Sequence, residues 1–111
     1  MTLDERLVAA MGTFTPDVYS APAKNPPERY VTYQRTTGRL HATLNSGAGA
    51  ARGTFQIDVW GPVKGPVRTL ADQLKNGLPS LLKVGDVTDN PDDYEEDTRL
   101  HRASFDIVIW N

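Results

Sequence analysis

The chain has 111 residues, 39% hydrophobic and 23% charged, with a formal net charge of −2 and no cysteine. That length holds one domain, residues 1–111, around one core and leaves no room for a second, and the mixture is globular rather than disordered. The charge excludes general nucleic-acid affinity, which needs clustered Lys and Arg, and the missing thiols exclude disulfides and thiolate chemistry.

Residues 2–12 read as an amphipathic helix: Thr2 and Glu5 fit a capping box, and Leu3, Leu7, Val8 and Met11 repeat at helical spacing. Asp4 and Glu5 precede only a short apolar stretch, unlike a signal or transit peptide, and no apolar run approaches the ~20 residues of a membrane span. The protein is therefore expected in the cytosol, with no membrane partner. Gly12 stops the helix, and a proline-rich connector follows from Pro16 to Pro27, with Val18 and Tyr19 as a short strand inside it. Residues 29–37 are rich in β-branched and aromatic types and read as a strand. Residues 45–53 hold three glycines and three alanines, too little side chain to anchor a core, so a mobile loop is expected there.

Residues 53–60 alternate cleanly. Phe55, Ile57 and Val59 share one face; Thr54, Gln56, Asp58 and Trp60 share the other. Pro66 suits the first position of a second helix with the core stripe Val67, Leu70, Ala71, Leu74 and Leu78, ended by Asn76 and Gly77. Residues 81–88 read as a short strand and 89–97 as an acidic loop. A last strand over 99–110 puts His101, Ala103, Phe105, Ile107 and Ile109 on one face and Arg102, Ser104, Asp106 and Trp110 on the other. The expectation is an α+β fold: a mostly antiparallel or mixed sheet of four to five strands with two helices packed on one face.

No catalytic constellation emerges. His41 and His101 lack a second ligand at metal spacing, so structural or surface roles are favoured and no metal is expected. The acidic run lacks the order of a calcium loop and reads as solvated. Asp58, Asp106, Arg102 and Arg35 could converge on the open sheet face, where cross-strand ion pairs are commoner than acid–base catalysis. There is no Gly-x-Ser-x-Gly elbow, and Gly47, Gly49 and Gly53 are not followed by the Lys-Ser/Thr of a phosphate loop. Neither a cofactor nor catalytic residues are expected. Trp60 and Trp110 fall opposite the helices, where a large aromatic is either covered by a loop or used at an interface.

The order of features is more specific than any single motif. It runs from the helix of Leu3 to Met11 into Asp-x-Val-Tyr (Asp17 to Tyr19), then Tyr-Val-x-Tyr-Gln (Tyr30 to Gln34) and Phe-Gln-Ile-Asp-Val-Trp (Phe55 to Trp60). After the helix with Leu70, Ala71 and Leu74 come Asp-Tyr-Glu-Glu-Asp (Asp93 to Asp97) and Arg-Ala-Ser-Phe-Asp-Ile (Arg102 to Ile107). Over nearly its whole length the chain resembles the tail-terminator, or tail-completion, proteins of long-tailed bacteriophages. The resemblance implies a non-enzymatic virion protein at the head-proximal end of the tail, assembled in the host cytoplasm. It would form a ring, a homohexamer, that caps the finished tube and stops its growth. Its partners would be its own copies, the tail tube protein and the head connector, with DNA passing through the ring without specific binding. Asp58, Trp60, Arg102 and Trp110 on the polar face, with Arg52 in the adjoining loop, are the candidates for subunit or tube contact. A head-to-tail adaptor and a non-phage binding module stay open as alternatives.

Overall fold

In the computed structural model, residues 2–24, 26–36 and 52–110 are described. His41 and residues 45–51 of the glycine- and alanine-rich stretch lie outside them, as does Thr37.

Helix α1 (Leu3–Met11) begins on the expected box. The Thr2 hydroxyl accepts from the Glu5 N–H at 3.1 Å, and the Glu5 carboxylate accepts from the Thr2 N–H at 2.8 Å. Two otherwise orphaned donors are satisfied reciprocally. Strands β1 (Val18–Ser20), β2 (Tyr30–Arg35) and β3 (Arg52–Gly61) follow, then helix α2 (Lys64–Gly77) and a 3-10 turn (Leu78–Ser80). Strands β4 (Lys83–Glu95) and β5 (Leu100–Trp110) close the order.

Among the described residues the five strands form one sheet in the order β1-β2-β3-β5-β4. β1 runs parallel to β2 and every other pairing is antiparallel, so the sheet is mixed. Both helices cover the same face. Phe55, Ile57 and Val59 of β3 and Phe105, Ile107 and Ile109 of β5 are buried in one cluster with Leu7 and Met11 of α1 and Val67, Leu70 and Leu74 of α2. Strand parity and helix spacing gave this core correctly.

Three local features differ from expectation. Helix α2 begins at Lys64, two residues before Pro66, and its N-cap Val63 makes no side-chain capping bond; proline fits there because first-turn N–H groups have no intrahelical acceptor. Gly77 ends α2 as expected but for a different reason, since its φ of −92° is one that any residue adopts. It is needed for room: a Cβ there would lie 2.2 Å from the Phe14 ring. Most of the acidic stretch 89–97 is not a loop, because β4 extends as a strand to Glu95 and only Glu96 and Asp97 fall in the turn. It pairs with β5 through two irregularities, between Val84 and Val87 and between Asn90 and Asp93, the second holding Pro91. An edge strand with both faces wet needs no apolar alternation, and a proline is tolerated where the ladder is interrupted. Leu78 does fold back into the core, fully buried.

Candidate interaction surface

The helix-free face of the sheet is built in rows by strand register. Thr32, Asp58, Ser104 and Asn90 form one row, and Tyr30, Trp60, Arg102 and Asp93 the next. Trp60 is held on three sides. Its indole N–H donates to the Thr32 hydroxyl at 3.1 Å, Tyr30 stacks on it at 6.0 Å and 15°, and the Arg102 guanidinium lies over its ring at 5.7 Å. Arg102 also faces Asp93 at 3.6 Å.

Asp58 is only 7% exposed. The Gln56 amide donates to both of its oxygens, at 3.1 and 3.2 Å, which offsets part of the cost of burying a carboxylate. Asn90 donates to Ser104 and to Asp106, both at 3.1 Å. Burial, with a smaller push from the Glu95 carboxylate, raises the Tyr30 hydroxyl above its usual pKa. Asp58 therefore anchors the sheet from within, while Tyr30, Trp60 and Arg102 meet solvent with part of their surfaces.

The other two candidates sit elsewhere. Arg52 lies over the Trp110 ring at 5.2 Å, and these two residues are register partners at the opposite end of the β3–β5 pair. Eight residues of strand, roughly 26 Å at ~3.3 Å each, separate Arg52 from Trp60. The five candidates thus form two groups, Asp58–Trp60–Arg102 and Arg52–Trp110. Trp110 ends β5 and Trp60 is one residue short of the end of β3, and in an antiparallel pair these strand ends lie apart. Arg35 does not join Asp58 and Asp106: it is on the helix-bearing face, 5.2 Å over the Phe55 ring and 3.5 Å from Asp4. His101 rests against Tyr94, with ring centroids 4.8 Å apart. Among the described residues, no group of three or more His, Asp or Glu side chains is placed to hold a metal ion.

Two features escaped the sequence reading. Helix α2 turns Arg68 and Lys75 toward β4, where they meet Asp92 at 2.8 Å and Asp89 at 2.7 Å. Only the Arg68–Asp72 spacing of four hinted at a charged helix face. Beyond Trp110, a groove of ≈ 680 Å³ opens between α1 and the start of β4, lined among others by Arg6, Ala9, Thr13, Leu81, Lys83 and Trp110. Leu81 was legible only as an apolar residue at a strand start.

Residues 4–111 match the model of the family described as tail completion protein gp17. No curated protein matches the sequence. Among solved structures, the fold is similar to a chain of the virion of a native gene transfer agent (GTA) particle, with a TM-score of 0.56 and 15% identity, covering 98% of this chain and 96% of that one.

Proposed function

We propose, from the premise that this chain belongs to the tail completion protein gp17 family and is a phage tail structural protein, that it caps the finished tail tube as a ring and stops its growth. The carrying observation is the family match over residues 4–111, nearly the whole chain. The likeness of its fold to a chain of the gene transfer agent virion supports a place in an assembled particle. A tube end exposes the surface that the next tube ring would occupy. A cap must fit that surface below while lacking the one that recruits another ring above, and it must offer the head connector something to join.

The protein acts by contact, not by catalysis, on tail tube protein, head connector and its own copies at the head-proximal end of the tail. Identical subunits meeting through two different patches close into a ring when the rotation permits, and a homohexamer is the ring we assign. Six copies would carry −12 (6 × −2), so a wall sharing that charge would let DNA pass without holding it.

Removing the gene from its phage tests this reading. Overlong tails beside heads filled normally with DNA are expected. Tails of normal length that fail to join heads would assign the chain to an adaptor instead. Normal tails that still join heads would overturn both.

A further inference from the structure

The groove at the α1 end of the sheet is both apolar and basic. Ala9, Leu81 and Trp110 contribute its apolar lining, with Leu81 48% exposed, and Arg6 and Lys83 are exposed on it. Among the described residues neither cation has a carboxylate within ion-pair distance. A segment that brings carboxylates and one apolar group would complement it.

The same chain carries such a segment at the far end of β4. Residues 86–99 hold seven of the 14 acidic residues and one base, Arg99, for a charge of −6. The whole chain has −2, so everything else sums to +4 (−2 − (−6)). Asp89, Asp92 and Asp93 already face Lys75, Arg68 and Arg102. Glu95, Glu96 and Asp97 at the hairpin tip have no such partner among the described residues, and Tyr94 beside them is 46% exposed.

We propose that the β4–β5 hairpin tip of one copy docks in the α1–Lys83 groove of the next. Glu96 and Asp97 meet Arg6 and Lys83, and the exposed part of Tyr94 covers Leu81 and Trp110. Groove and tip lie at opposite ends of β4, twelve residue steps or roughly 40 Å apart before the bulges shorten it. One subunit cannot satisfy both patches internally, so each is met by another copy, and in a ring the contact runs head to tail. This rests on the ring reading and names the surfaces through which the ring closes.

Sedimentation of the full chain tests it with Arg6→Glu/Lys83→Glu, which reverses the groove, and Glu96→Lys/Asp97→Lys, which reverses the tip. Each variant alone should need at least ten-fold higher concentration than wild type to assemble. A one-to-one mixture should recover, because every groove then finds a tip of opposite charge in an alternating ring. Wild-type assembly should also weaken with added salt, a readout that needs no substitution. Variants that assemble like wild type, or a mixture that fails to recover, would overturn this contact and leave the ring reading intact. A two-fold dimer sensitive to both reversals would keep the contact and overturn the ring. A wild-type chain that stays monomeric at every concentration would overturn both.

Discussion

Phe105 is fully buried between its neighbours on β3 and the helices, as its strand parity required. Phe105→Ala should cost about 3–5 kcal/mol, measured by urea denaturation, as the cavity adds to the lost transfer energy. Gly77 shows what periodicity misses. Alanine is a better helix former than glycine by about 1 kcal/mol, yet the Phe14 ring occupies the space of its Cβ. Gly77→Ala should therefore lower stability, by about 1–3 kcal/mol from overpacking, and the same variant with Phe14→Leu should regain part of it. Glu5 was legible as a capping residue and carries a pH dependence. The Thr2 backbone N–H, and then its hydroxyl, hold the carboxyl below its ordinary value of 4.5. A depressed folded-state value means that this contribution is complete above 4.5 and disappears as pH falls through the lower folded value. Glu5→Gln, which cannot ionise, should remove that part of the acid sensitivity, which thermal melts at neutral and acid pH would read.

Among the elements, α1, α2, β3 and β5 could be read because each has one dry face and one wetter one. β4 could be read only at its start, within the strand expected over 81–88; its continuation could not, because all but Val84 and Asn90 of its residues are exposed and Asn90-Pro91-Asp92-Asp93 has the composition of a turn. Its strand conformation is imposed from outside, by pairing with β5 and by Arg68 and Lys75 reaching over from α2. Exposed ion pairs contribute little each, so Asp92→Asn, which weakens the pair with Arg68 at the surface, should change stability by less than about 1 kcal/mol. The turn between β4 and β5 holds Arg99 at a φ of 59°, a left-handed conformation that costs a side chain roughly 1–2 kcal/mol and a glycine almost nothing. Arg99→Gly should raise the melting temperature, and Arg99→Val should lower it. The reverse order would contradict the turn geometry.

For the whole molecule, parity gave the α+β class and the covered face but not the strand order. The parallel pairing of β1 with β2 spans three residues in a proline-rich connector, too short for any pattern. The candidate surface was legible in composition and not in layout. Its residues share a face by alternation, whereas their division between two ends follows from register alone. At this scale the charge predicts behaviour toward DNA: the assembled protein at physiological salt should leave the mobility of linear duplex DNA unchanged on a native gel. A retarded band would contradict a negatively charged passage. The protein has two tryptophans, one stacked on Tyr30 and one beside the groove against Arg52. Its intrinsic fluorescence therefore reports on both ends at once. Excited at the red edge, where tyrosine does not absorb, Trp60→Phe leaves a single tryptophan beside the groove, and Trp110→Phe a single tryptophan among Tyr30 and Arg102. With these two variants, events at one end of the subunit can be followed by wavelength and quenching without attaching a dye, while the other end stays dark.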